Sequence, residues 1–108
     1  MKRKDYITEQ DNLRLLDDCY NKGINKIKLS IANTKAHEMK KCDICYELEL
    51  IHHRFITEAR FKYNKGRADV FDITDGIAYE VVCSEKEASL LSKKSRYPVP
   101  FEIIKVIK

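Results

Sequence analysis

The chain has 108 residues, 44% of them hydrophobic and 35% charged, a balance that fits one domain with a single core and excludes a disordered chain. No run approaches the roughly 20 apolar residues of a transmembrane helix, and the basic lead Met1–Asp5 is followed by no apolar signal core, so the expectation is an intracellular, cytoplasmic protein without a membrane partner. The net charge of +4, from 21 basic and 17 acidic residues, permits a nucleic-acid partner without demanding one.

After the basic lead, Thr8 and Asp11 mark a helix start, and Leu13, Leu16, Cys19 and Tyr20 recur at helical spacing up to Gly23, which predicts a helix over 9–22. In 24–33, Ile27, Leu29 and Ile31 alternate with Lys26, Lys28 and Ser30, a pattern that fits a short strand or an extended connector. A longer helix is expected from Thr34 to near His52, with Met39, Cys42, Tyr46 and Leu50 on one side and Ile44, Leu48 and Ile51 on the other. Two apolar sides predict a sheet under one and the N-terminal helix under the other.

The period then changes to alternation. Phe55–Phe61 reads as a strand, Lys62–Gly66 as a polar turn, and Ala68–Ile73 as a second strand. Asp75-Gly76 signals a hairpin, and Ile77–Cys83 reads as a buried central strand whose one acid is Glu80. Ser84 and Glu87 form a capping box for a helix that Pro98 and Pro100 end, and Phe101–Ile107 reads as a last strand. One domain over 1–108 is expected, with 1–33 as N-terminal helix and connector and 34–108 as a mixed-sheet α/β core of order α-β-β-β-α-β.

The four cysteines are Cys19, Cys42, Cys45 and Cys83, and the C-x-x-C at 42–45 has no second half to complete a zinc site. Its helical setting points to core packing instead.

The acids carry more. If Ile73 pairs with Gly76, paired positions sum to 149 and Asp69 faces Glu80; if Asp75-Gly76 are the two turn residues, the sum is 151 and the acids are diagonal. Either way an unbroken pleat sets both on one face, where like charges repel unless a proton, a base or a divalent cation intervenes. Arg60 or Arg67 beside Asp69 is the plain alternative. Glu58 joins that face if the first two strands pair with a sum near 129, or forms a surface pair with Arg60 or Lys62. Lys2, Arg3, Lys4, Lys26, Lys28, Lys40 and Lys41 are available for phosphate contacts.

This element order, with Arg67-Ala68-Asp69-Val70 opening one strand and Tyr79-Glu80-Val81-Val82 in the next, resembles the PD-(D/E)XK nuclease superfamily, the restriction-endonuclease-like fold, over roughly residues 34–107. The resemblance implies a metal-dependent DNA endonuclease in which Asp69 and Glu80 hold Mg²⁺ or Mn²⁺ and Glu58 is a candidate third acid; relatives often act as homodimers. The motif lysine is replaced by Val82, so Lys93 from the following helix is the substitute, with Lys86 and Lys94 behind it. Arg67, Lys40, Lys41 and Lys94 are the expected nucleic-acid contacts, and Glu38 or Glu47 the further helix acid. His37, His52 and His53 are phosphate or metal contacts or helix caps. A descendant of this fold that binds nucleic acid or a protein without cutting is the alternative.

Overall fold

The computed structural model describes residues 9–17, 23–82 and 97–105. Residues 9–13 form the described part of a helix, α1. It is followed by α2 (Lys35–Leu50), β1 (Phe55–Arg60), a 3-10 turn at Lys62–Asn64, β2 (Arg67–Asp72), β3 (Ile77–Val82) and β4 (Phe101–Lys105). The fold is α+β. The sheet order is β1-β2-β3-β4, with the first three strands antiparallel and β4 parallel to β3. Among the described residues, no helix is long and apolar enough to cross a membrane. The helix expected after Ser84, and with it Lys86, Lys93 and Lys94, lies outside the described residues, as do Lys2, Arg3, Lys4, Cys19 and Cys83.

The sheet separates two apolar layers. On one face Ile56, Phe71, Ile73 and Ala78 pack with Leu13 and Leu16 of the N-terminal segment, and with Phe61 and Tyr97. On the other, Cys45 and Leu48 of α2 pack on Phe55 and Val70. The N-terminal helix therefore lies across the sheet from α2 rather than against its second apolar side. That side, with Met39, Tyr46 and Leu50, is exposed, as is Ile51 at the end of the other. The expected helix over 9–22 also ends early, because the chain leaves α1 to join the sheet edge. Asp17 N–H donates to Arg60 O, Lys62 N–H donates to Leu15 O, and Leu16 bridges Phe61. Residues 26–30 form a connector, not a strand. It is pinned by the Thr57 hydroxyl, which accepts from Lys28 N–H and donates to Lys26 O.

The hairpin takes the first of the two registers, since Val70 pairs with Tyr79 and Asp72 with Ile77. The β1–β2 sum is 127, not 129, as Phe55 meets Asp72 and Ala59 meets Ala68. Residues 58 and 69 stand opposite one another in this register and form no pair. Glu58 has φ of 52°, a left-handed conformation that a non-glycine residue adopts at a cost. The break reverses the alternation of both strands. Phe55 and Val70 face α2, yet Ala59 and Ala68 belong to the opposite layer.

The boundaries of α2 follow the sequence closely. Thr34 caps α2, its hydroxyl accepting from His37 N–H at 3.2 Å. At the other end, His52 N–H donates to Glu49 O at 3.0 Å and His53 N–H to Leu48 O at 2.9 Å. This is a Schellman closure with His52 at φ 60° in the place glycine prefers. His52→Gly should therefore stabilise the fold by about 1 kcal/mol through relief of the left-handed strain. A thermal melt checks it: the midpoint should rise, and a fall would show that the closure does not depend on that conformation.

Candidate functional site

The break at 58 and 69 turns two consecutive residues of each strand, Thr57-Glu58 and Asp69-Val70, toward α2. The first turns of that helix answer with His37, Glu38 and Lys41. Lys41 has no exposed surface, and its Nζ donates to Glu38 Oε1 at 2.8 Å and to Glu58 Oε1 at 3.1 Å. Glu38 is saturated. It also accepts from Ser30 N–H and Asn33 Nδ2, and its Oε2 lies 2.7 Å from His37 Nδ1. The other His37 nitrogen, Nε2, stands 3.4 Å from Asp69 Oδ2. That same carboxylate oxygen accepts from Val81 N–H at 2.8 Å. Arg67 Nε is 3.2 Å from Glu58 Oε2, without the alignment of a hydrogen bond, so Glu58 Oε2 is buried with no donor.

Three carboxylates thus meet two permanent cations and one imidazole. Burial pushes the Glu38 carboxyl up, but Lys41, Ser30 N–H and His37 outweigh it and hold the group at about 2. Burial likewise works against the Lys41 ammonium, and the two glutamates override it, so the ammonium is held above its ordinary value. A charge network this deep is a poor source of stability relative to apolar packing, and such networks concentrate at functional sites.

Asp69 and Glu80 are not brought into one pocket. The pairing of β2 with β3 ends at Val70 and Tyr79, and beyond it the Asp69 side chain, not its backbone, contacts β3. Asp69 lies on the α2 side through the strand reversal. Glu80 keeps the alternation of β3, shares the side of Ala78, and accepts from the Tyr97 hydroxyl. Tyr97 packs over Gly66, where a Cβ would come within 2.4 Å of its ring, and its one hydroxyl proton is shared with Arg67 O at 2.7 Å. The expected arginine beside Asp69 is also absent among the described residues: Arg67 pairs with Glu58, and Asp69 meets His37.

Of the expected phosphate contacts, Lys41 is buried and paired, because its position on α2 faces the sheet. Lys40 is half-buried beside Asp43, Ile44, Tyr46 and Glu47 in a shallow groove of about 350 Å³. Arg67 stays exposed at the rim of the cluster. Glu47 is exposed on α2. Cys42 and Cys45 are free thiols, and burial pushes Cys45 up to about 12, which agrees with packing and not with metal or redox work.

One group escaped the sequence reading. His53, Asp72 and Asp75 present ligand atoms that all lie within 4.8 Å of one another. Burial raises the Asp72 carboxyl against the opposing pull of His53. The signal was the D-x-x-D spacing at the turn, but nothing in the sequence says that the helix end lands there. Comparison of the sequence with protein-family descriptions and curated proteins, and of the fold with solved structures, finds no match.

The depressed Glu38 has a definite pH consequence. A carboxyl held at about 2 in the fold against an ordinary 4.5 stabilises the protein above about 4.5. That contribution, roughly 3 kcal/mol, drains away as pH falls from there toward 2. Urea midpoints taken across this window should fall in the wild type and fall less in Glu38→Gln. Lys41→Met, which strands two buried carboxylates, should cost roughly 3–5 kcal/mol at neutral pH. A loss below 1 kcal/mol would show that the ammonium does not hold the cluster.

Proposed function

We propose that this chain is a nuclease-like protein, a metal-dependent hydrolase of DNA phosphodiester bonds on a restriction-endonuclease-like core. The element order supports it. A helix leads into a three-strand meander, and a fourth strand runs parallel to the third, a connection that requires a crossover. The observation that carries the reading is Glu58 Oε2, a buried carboxylate oxygen without a donor. Arg67 Nε stands 3.2 Å from it out of line for a hydrogen bond, the other oxygen of the same carboxylate takes the Lys41 ammonium, and the residue lies opposite Asp69 at the break.

The donor set fits the ion that this chemistry needs. Glu58 and Asp69 are hard oxygen ligands of the kind Mg²⁺ and Mn²⁺ take, often only one or two from the protein. Both side chains turn toward α2 at the break, where the two strands stand opposite without pairing. Glu38 is too fully engaged to be a ligand and instead anchors Lys41. When bound, the ion would polarise a phosphoryl oxygen and acidify a water.

The chain's own residues supply the rest. Lys41 replaces the cation missing at Val82. Its ammonium, bonded to Glu58, sets positive charge where negative charge develops. His37, between Glu38 and Asp69, is placed to hold or pass a proton. Arg67, exposed at the rim, contacts the phosphate backbone and positions it without reading sequence.

A second reading has its own support. With no exposed surface and two carboxylates on its ammonium, Lys41 also suits a descendant that binds nucleic acid without cutting. A cleavage assay on duplex, single-stranded and junction DNA, with Mg²⁺ or Mn²⁺, separates the two. Cutting should require the metal and fall about a hundredfold or more in Glu58→Gln and in Asp69→Asn. Salt-sensitive binding without cutting selects the second reading. Cutting that survives both substitutions, or neither binding nor cutting, overturns the assignment.

A further inference from the structure

We infer that His53, Asp72 and Asp75 form a second site, for a divalent first-row transition-metal ion, at the end of the sheet where α2 terminates. The site is separate from Glu58 and Asp69 and does not rest on the nuclease reading. Three different pieces of chain build it. The Schellman closure of α2 delivers His53, whose backbone N–H is fixed on Leu48 O. The last residue of β2 supplies Asp72, paired with Phe55 and so on the α2 side. The hairpin turn supplies Asp75, whose backbone N–H is drawn to Asp72 Oδ1 at 3.2 Å alongside Thr74 N–H at 3.0 Å.

These contacts divide the two Asp72 oxygens. Oδ1 is spent on the turn, and Oδ2 is left facing His53 Nδ1 at 2.8 Å. Asp75 Oδ2 stands 3.9 Å from the same nitrogen. An ion with ligands about 2.1 Å away sets neighbouring ligands about 3 Å apart. The His53–Asp72 edge therefore has the required length already. The Asp75 side chain, 54% exposed, has the freedom to close by the remaining ångström.

The charge balance points the same way. Two carboxylates, one almost wholly buried, converge on one imidazole. Among the described residues no lysine or arginine pairs with either of them; the nearby Arg54 instead lies 3.8 Å from Glu9. An imidazole nitrogen with two carboxylate oxygens suits Mn²⁺, Co²⁺, Ni²⁺ or Zn²⁺ better than Mg²⁺ or Ca²⁺, which take oxygen alone. Binding replaces the Nδ1 proton by the ion. In a neutral ring that proton reappears on Nε2 as the other tautomer, and in an imidazolium it is released to solvent.

A hydrogen-bonded staple between helix end and sheet would explain His53 and Asp72 alone, and it makes no use of Asp75. Zn²⁺ titration followed by calorimetry and by the ring-nitrogen resonances of His53 distinguishes the two. Zn²⁺ should move the His53 Nδ1 resonance to a bound position. Asp75→Asn, at an exposed position, should weaken the affinity about tenfold or more while leaving the metal-free melting midpoint in place. The Glu58→Gln, Asp69→Asn double variant should leave the His53 response intact, whatever it does to a nuclease centre. An Nδ1 resonance indifferent to Zn²⁺, or an affinity at His53 unchanged by Asp75→Asn, overturns the proposal.

Discussion

The ammonium of Lys41 is the tie on which the α2 side of the molecule depends. It emerges from a helix turn that faces the sheet, and it ends between one carboxylate of its own helix and one of β1. An unpaired charge at that depth would be driven to neutralise itself. The two glutamates thus give the buried ammonium its partners as α2 seats against the sheet in this register. The same requirement runs outward. Glu38 is held by Ser30 N–H and Asn33, so the connector before the helix is bound into the arrangement as well.

The price in local geometry falls at Glu58. In a regular pleat Thr57 and Glu58 would point to opposite faces, and the carboxylate would enter the apolar layer around Phe61, Phe71 and Tyr97. A left-handed residue costs about 1–2 kcal/mol, less than a buried carboxylate without a partner. The partner strand yields at the matching position. Asp69 also turns to α2, and its carboxylate takes the Val81 N–H where β2 and β3 part. The kink, the gap in pairing and the fork between β2 and β3 are thus one event, driven by where charge can be tolerated.

This explains what was legible in the sequence and what was not. The helix start at Thr34, the period change after His53 and the apolar run of β3 are local signals, and the helix and strands follow them. The register with Asp72 opposite Ile77 was also within reach, because Asp75-Gly76 restricts the turn to two choices. The facing of Asp69 was not. Inferring it from Glu80 assumes that side chains alternate without interruption, and a single left-handed residue one strand away cancels that parity. Lys41 was misread for a related reason. A lysine in sequence alone reads as available for a phosphate, and only the tertiary fold supplies the two carboxylates that let it be buried. The site at His53, Asp72 and Asp75 depends on three separate segments, so no window of sequence contains it.

The two ends of α2 repeat one device. At its start His37 reaches Asp69, and at its finish His53 reaches Asp72, so an imidazole from each end meets a carboxylate of β2. Between those acids lies Val70, packed against Cys45 and Leu48. The apolar contact gives the helix its seat, and the polar contacts fix its position along the strand, since sliding by a turn would separate both pairs at once. The interior pair is surrounded by further charge and an unsatisfied oxygen, whereas the outer one opens to solvent through Asp75. A helix clamped only for stability would need neither the orphaned Glu58 oxygen nor the third ligand at the turn. Those surplus groups set the two ends apart from structural staples: at the inner end Lys41 and Arg67 already face the Glu58 carboxylate, whereas at the outer end, among the described residues, two carboxylates converge on one imidazole with no lysine or arginine paired to them.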